Sequence, residues 1–166
     1  DRGTVGEVGG CVCVLGRRRS RGTNFARVPG ALLLLEEVDD ATATWLAQRW
    51  TRFSLEPQES LFIEGDDAGA MYVVEHGLLR IERVALTGQR QLLTLAGPGD
   101  TVGELAVLEG GVHSASVFAM SQTSLLRLRR EDVDVALTTF PDMSLTLARM
   151  LADRLRALTD QLVELA

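Results

Sequence analysis

Residues 97–117 read GPGDTVGELAVLEGGVHSASV, and this stretch says most about the fold of the chain. A Gly-Pro-Gly turn leads into Gly-Glu-Leu-Ala at 103–106, and a second pair of glycines leads into Val-His-Ser-Ala-Ser at 112–116. Backbone N–H groups, small hydroxyls and one carboxylate can converge in such a segment on a ligand with phosphate and sugar parts. The segment therefore predicts a binding site for a ligand of that kind.

Short β segments lie on both sides of this stretch. Strands at this spacing, divided by glycine-containing turns, indicate a sandwich or a barrel. In one of them Leu79 and Ile81 alternate with Arg80 and Glu82, as expected for a strand with one buried and one wet face. The predicted strands lie near residues 52–55, 60–63, 70–75, 77–84, 90–96, 101–102, 114–118 and 123–129.

Helices are predicted at both ends of the β region. Asp39 or Asp40 can cap a helix that runs to about Trp50. A short helix is predicted over Glu131–Thr139, and it ends before Pro141 because the residue preceding a proline avoids the α region.

The last predicted helix carries a regular row of leucines. It begins with Asp142 as its cap and reaches the chain end, a span of about 23 residues or roughly 35 Å. The 4-3-4-3 spacing of the leucines keeps one apolar row facing a partner helix. We therefore predict a homodimer through this helix, and the alternative is that the row packs on the chain's own β domain. The row consists of Leu151, Leu155, Leu158, Leu162 and Leu165.

Three motifs in order resemble the cyclic-nucleotide-binding domain family of catabolite-activator-type regulators and kinase regulatory subunits. Residues 97–117 resemble its phosphate-binding cassette, and we call them the cassette. Phe-Ile-Glu-Gly-Asp at 62–66, followed by Met-Tyr-Val-Val at 71–74 and then Gly77, resembles its strand–turn–strand entry. The terminal helix is the third motif, and the resemblance covers about residues 40–166.

The resemblance implies a mainly β fold with flanking helices. The expected architecture is a double-stranded, jelly-roll-like β-roll at about residues 51–130. An N-terminal helix, a short cassette helix and C-terminal helices over 131–166 flank it. Residues 36–166 would form this domain, and residues 1–35 a flexible leader or the end of an upstream segment. The implied role is regulatory, and we predict no catalytic residues and no enzyme activity.

The same resemblance implies the ligand-binding residues. The position of Glu104 accepts the ribose 2′-hydroxyl in the family, and Thr159 lies near the turn of the terminal helix from which a hydroxyl could reach adenine. The implied ligand is cyclic AMP or cyclic GMP, with no other cofactor. The predicted binding residues are Gly103, Glu104, Leu105, Ala106, His113, Ser114, Ala115, Ser116 and Thr159.

The cassette departs from the family pattern at His113, where the family carries an arginine for the cyclic phosphate. Arginine is always charged and can grip a phosphate with two parallel N–H bonds, whereas a neutral imidazole offers one donor. Losing such a buried charged pair costs about 2–5 kcal/mol, or roughly 30- to 3,000-fold in affinity. We therefore expect weakened or altered affinity for cyclic nucleotides, unless Arg80, Arg83 or Arg90 supplies the missing charge.

Composition excludes several other functions. A net charge of −6 and a pI near 4.9 argue against a nucleic-acid-binding surface, and no helix-turn-helix is readable. Cys11 and Cys13 are the only cysteines, so residues 14–166 fit a reducing cytoplasm. His76 and His113 are the only histidines, too few for the usual metal sites, and we predict no metal.

Two functions follow from these observations. The first is a regulatory sensor, in which a ligand in the β-roll repositions the C-terminal helix. The alternative is a ligand-independent dimerisation or interaction module attached to a larger effector such as a transporter, an esterase or a transcription regulator. The effector could be membrane-bound.

Overall fold

The structure, a computed structural model, describes residues 38–164 and contains eight strands in two antiparallel four-stranded sheets. The first sheet has the order β1-β8-β3-β6 and the second the order β2-β7-β4-β5, so every pair except the β4–β5 hairpin joins strands that are not consecutive. This confirms the predicted β-roll. The strands are β1 (Thr51–Leu55), β2 (Ser60–Phe62), β3 (Ala70–His76), β4 (Leu79–Val84), β5 (Arg90–Ala96), β6 (Thr101–Val102), β7 (Ser116–Ala119) and β8 (Thr123–Arg129).

Two predicted strands begin two residues later in the structure, and the other strand bounds agree to within one residue. The segment predicted at 77–84 begins at Leu79, since Gly77 lies in the turn after β3 with no room for a Cβ beside Thr123. The segment predicted at 114–118 becomes β7 at Ser116, because the residues before it pair elsewhere. The His113 carbonyl accepts a hydrogen bond from the Gly65 amide at 2.8 Å, and Val112 forms a β-bridge with Asp67.

Within residues 38–164, four helices flank the β-roll at both ends and in the cassette. They are α1 (Asp40–Ala47), α2 (Glu104–Glu109), α3 (Arg130–Thr139) and α4 (Pro141–Glu164). Asp39 is the N-cap of α1, and its carboxylate accepts from the Thr42 amide at 2.7 Å. The helix ends at Ala47 rather than near Trp50. The amides of Arg49 and Trp50 both donate hydrogen bonds to the Leu46 carbonyl.

The N-terminal end of α4 is tied to α1 by Asp142. Its carboxylate accepts from the Asp39 amide at 2.7 Å and from the Thr42 hydroxyl at 3.1 Å. The helix begins one residue earlier than predicted, so Asp142 lies in its first turn and joins two helices instead of capping one. The edge-to-face pair of Trp45 and Phe140, with ring centroids 5.5 Å apart, reinforces this junction.

The core consists of two clusters. One lies between the first sheet and the helices and includes Leu46, Met71, Val107, Leu128 and Met143. The other lies within the β-roll and includes Leu55, Val74, Leu79, Val117 and Leu125. The cassette contributes Ala106 and Val107 to the first cluster, so its helix is fixed by apolar burial. The predicted leader at residues 1–35 lies outside the described residues, as does Leu165 of the leucine row.

Candidate functional site

Gly103 holds the cassette in a conformation that places α2 against the β-roll. It is the N-cap of α2 and has φ +80°, in the left-handed region that favours glycine. A Cβ at this position would lie 3.2 Å from the Ala70 carbonyl oxygen and 3.3 and 3.4 Å from ring atoms of His113 and Phe62. The backbone therefore approaches two aromatic edges more closely than a side chain would allow.

Glu104 is buried and paired with an arginine from the terminal helix. Its side chain is 3% exposed, and Oε1 accepts from Nη1 of Arg154 on α4. The second guanidinium nitrogen of Arg154 donates to the Thr101 carbonyl at 2.9 Å. Burial raises the pKa of Glu104, and the charge of Arg154 opposes that shift. The carboxylate that the family resemblance assigns to a ribose hydroxyl is thus also the contact between the cassette and α4.

His113 is packed as an aromatic ring. It is 5% exposed, and it stacks on Phe62 with ring centroids 3.6 Å apart and planes 6° from parallel. Burial lowers its pKa below the usual value of 6.5, while the nearby Asp66 carboxylate acts in the opposite direction. The imidazole at the phosphate-anchor position is therefore mainly neutral at pH 7.

The His113–Phe62 stack is one end of a chain of aromatic rings. Phe62 lies 6.3 Å from Tyr72, and Tyr72 lies 6.4 Å from Phe53, measured between centroids. Phe62 and Tyr72 are partly buried against the β-roll core, and Phe53 is 40% exposed. Burial raises the pKa of Tyr72, so its hydroxyl stays protonated at neutral pH. The chain of rings therefore places aromatic, apolar surface next to His113.

The other predicted binding residues occupy different environments. Ser116 is half-buried, and its hydroxyl accepts from the Glu64 amide at 2.9 Å. Thr159 is exposed on α4, where its hydroxyl donates to the Leu155 carbonyl at 2.9 Å. The structure thus places Gly103, Glu104 and His113 next to one another, whereas the Thr159 hydroxyl is hydrogen-bonded within its own helix. Of the remaining residues, Ala106 is buried, Ala115 is half-buried, and Leu105 and Ser114 are exposed.

The three arginines considered as substitutes for the missing cassette arginine have partners in the second sheet. Arg80 pairs with Glu82 at 2.7 Å and donates to Gln58 at 2.8 Å. Arg83 pairs with Glu64 at 3.3 Å. The Arg90 guanidinium lies 5.8 Å from the Phe118 ring centroid. A cavity of about 120 Å³ next to Ser116 is lined by Ile63, Glu82, Arg83, Val84, Arg90 and Phe118.

Sequence reasoning missed two contributors to the site, Arg154 and Phe62 as a ring partner. Arg154 continues the buried face of α4, which runs through Met143, Leu147 and the partly buried Met150 at helical spacing. That periodicity could have identified it. The stack of Phe62 on His113 joins residues from β2 and the cassette, and no local pattern indicates such a contact.

Two features are absent from residues 38–164. None of the helices there is long and apolar enough to cross a membrane. In the same range, no group of three or more His, Cys, Asp or Glu side chains is placed to hold a metal ion.

A β-roll whose glycine-rich cassette presents a buried carboxylate to a terminal helix defines a ligand-binding regulatory module. A sequence model of the family described as "Cyclic nucleotide-binding domain" matches residues 52–139. The chain belongs to this family, and the matched domain is regulatory and not an enzyme.

Relatives and solved structures agree with this assignment. The chain is 40% identical over 122 residues to the cyclic AMP receptor protein of Thermus thermophilus, covering 73% of this chain and 54% of the receptor. The crystal structure of the Thermus thermophilus catabolite activator protein superposes with a TM-score of 0.70 at 33% identity, covering 80% of this chain and 62% of that one.

A relative of a different kind is the lysophospholipase NTE1 of Chaetomium globosum. It is 30% identical over 100 residues, which are 60% of this chain and 7% of that enzyme. The chain therefore matches about half of the receptor and a small part of the lysophospholipase.

Proposed function

We propose that this domain is a regulatory sensor of the cyclic-nucleotide-binding type, with weakened or altered affinity for cyclic nucleotides. Ligand in the β-roll would reposition α4. The predicted binding residues remain part of this proposal, as does the cytoplasm as its location. The observation that carries it is the ion pair between buried Glu104 and Arg154 of α4.

The ion pair suggests how ligand and helix are coupled. A ribose hydroxyl that donates to Glu104 would take over the acceptor that Arg154 now uses. Beyond Leu147, α4 has no fully buried residue among those described, so a change at Arg154 acts on a helix segment held by few other contacts. A ligand that binds the protein more tightly with α4 in one position than in the other shifts the equilibrium toward the first position.

The test combines calorimetry with distance measurement on the full chain. Spin labels on Thr87→Cys and Asp160→Cys, with Cys11 and Cys13 replaced by serine, report the distance between the β4–β5 turn and α4. We expect heat of binding with cyclic AMP or cyclic GMP at up to millimolar concentration and a changed label distance. A matched Glu104→Gln chain should lose most of both. Binding with an unchanged distance would contradict the coupling to α4.

A second candidate function is ligand-independent association through α4. Leu155, Leu158 and Leu162 are 66%, 50% and 69% exposed, and they form one row on a 24-residue helix. A second copy of the chain would cover this row. The match to part of a much longer lysophospholipase supports the related idea of an attached effector, membrane-bound or not.

Sedimentation of the full chain tests this second function. We expect a dimer that Leu155→Asp combined with Leu162→Asp converts to a monomer. Ala157→Asp is the matched control, because it adds a carboxylate to another exposed side of the same helix. A wild-type chain that stays monomeric at high concentration would exclude the dimer.

A further inference from the structure

Building on the proposed sensor function, we propose that the ligand of this site is a neutral nucleoside rather than a cyclic nucleotide. The difference is one negative charge, because a nucleoside has the same base and ribose but no cyclic phosphate. The charges that the site offers at the place where that phosphate would lie favour one ligand over the other.

The anchor position offers no positive charge at neutral pH. His113 is 5% exposed and stacked on Phe62 at 3.6 Å, and burial keeps its pKa below the usual value. A neutral imidazole supplies at most one N–H donor. Backbone amides of the cassette can also donate to an anion, but the anchor supplies no opposite charge, and burying an anion without a paired charge is unfavourable.

The charged groups around the anchor are balanced or negative. Asp66 is the ionisable group whose charge acts on His113. Glu104 is the buried carboxylate, and Arg154 is engaged both by it and by the Thr101 carbonyl. An added phosphate would therefore meet two carboxylates and one committed guanidinium.

The three arginines considered as substitutes for the missing cassette arginine do not change this balance. Arg80 and Arg83 are paired with Glu82 and Glu64. Arg90 shares its cavity with Glu82, whose second carboxylate oxygen is buried without a hydrogen-bond partner. This unpartnered oxygen makes the cavity a better place for a donor than for an anion.

A nucleoside matches what the site does offer. Its ribose hydroxyls are donors for Glu104, and an uncharged hydroxyl meets no repulsion from Asp66. The rings of Phe62, Tyr72 and Phe53 form a continuous aromatic surface next to His113, and a base could stack on its exposed part at Phe53. Aromatic surfaces favour stacking of a neutral heterocycle whether or not a phosphate is attached.

The test is a calorimetric comparison at pH 7.5 of adenosine, guanosine and the corresponding 3′,5′-cyclic monophosphates on the full chain. We expect the preferred nucleoside to bind the wild type at least about tenfold more tightly than its cyclic nucleotide. His113→Arg should raise cyclic nucleotide affinity by about 30- to 3,000-fold and change nucleoside affinity much less. His76→Arg, which adds the same charge at an exposed site outside the cassette, should leave the preference unchanged.

The outcomes separate this inference from the sensor function. A wild type that binds the cyclic nucleotide as tightly as the nucleoside, or more tightly, overturns the inference and leaves the sensor standing. Loss of that cyclic nucleotide binding in Arg90→Gln would identify the anion partner. If neither the wild type nor folded His113→Arg binds any of the four compounds, the sensor function fails as well. Should His113→Arg not fold, the wild-type preference alone decides.

Discussion

At the scale of single residues, the His113 ring is fixed by stacking on Phe62. Its backbone is fixed by hydrogen bonds with the Asp66 carbonyl and the Gly65 amide. The sequence predicted the position and its departure from the family pattern. It did not predict the stack, because Phe62 lies on β2 and meets His113 only when β2 pairs with β7. The sequence alone was therefore enough to propose the residues of the site, but not to predict the packing that sets the charge of the imidazole.

The depressed pKa of His113 predicts a pH dependence of stability. Because the folded-state pKa lies below the unfolded value of about 6.5, the unfolded state takes up the proton more readily. The free energy of unfolding should thus fall as pH decreases below about 6.5, by at most about 1.4 kcal/mol per pH unit. His113→Phe keeps a stacking ring but removes the titration.

Urea unfolding of both proteins at pH 7.5, 6.5 and 5.5 measures the difference. Glu104, whose pKa is raised by burial, contributes with the opposite sign in both proteins and cancels in the comparison. Equal pH dependence of the wild type and His113→Phe would contradict the prediction.

Gly103 should tolerate substitution less well than another glycine of similar conformation. Gly103→Ala forces a side chain to φ +80° and against the Ala70 carbonyl and two rings. Gly65→Ala meets only the conformational cost, since φ is +94° and no atom lies within 4 Å of its Cβ position. We expect Gly65→Ala to cost about 1–2 kcal/mol of unfolding free energy, and Gly103→Ala about 1–3 kcal/mol more. Thermal or urea unfolding distinguishes them, and equal losses would refute the close approach.

At the scale of elements, α4 shows what helical periodicity can and cannot reveal. The leucine row was visible in the sequence, and the structure leaves the described part of its C-terminal half exposed. The face that packs on the β-roll runs instead through Met143, Leu147 and Arg154. Two apolar faces compete on one helix, and only the position of α3 and the cassette decides which of them the domain buries.

Arg154 should stabilise the fold through its pair with Glu104. Arg154→Leu leaves a buried carboxylate without its partner, and we expect a loss of about 1–3 kcal/mol, reduced from the value for a fully buried pair because Arg154 is 40% exposed. The double variant Arg154→Leu with Glu104→Leu should recover part of that loss. Arg156→Leu, whose partner Asp153 is exposed, is the control.

A double-mutant cycle by urea unfolding measures the coupling between the two side chains. Hydrogen exchange of α4 amides gives a second readout, and it should accelerate in Arg154→Leu. Additive effects of the two substitutions would show that the ion pair contributes nothing to the placement of the helix.

At the scale of the whole molecule, the order of elements was predictable and their pairing was not. Turn residues such as Pro98 and Gly99 divide the strands clearly, so all eight were located from the sequence. The pairing of β1 with β8 joins residues more than 60 positions apart, for example Leu55 with Thr123. Nothing local indicates it, and only the family resemblance supplied the two-sheet arrangement.

The distribution of buried residues along α4 predicts where the chain can be shortened. Its fully buried residues are Met143, Thr146 and Leu147, all in the first two turns. A chain ending at Arg149 should therefore unfold cooperatively, with a stability loss larger than that of Arg154→Leu because it also lacks Met150, which packs against the core. A chain ending at Phe140 should not fold, because it lacks all three. Thermal unfolding followed by circular dichroism tests both, and a chain ending at Arg149 without cooperative unfolding would contradict the prediction.

Asp142 ties the buried first two turns of α4 to α1, so the rest of the helix can act as a lever that pivots at Leu147, its last fully buried residue. From Leu147 to Arg154 the helix rises roughly 10 Å, and from Leu147 to Glu164 roughly 25 Å. A tilt of about 10° would thus shift the Arg154 level by roughly 2 Å and the far tip by roughly 4 Å, by the same geometry. A displacement of roughly 2 Å is enough to break one hydrogen bond. It is more than doubled at the C-terminal end of α4, where an attached domain would sense it.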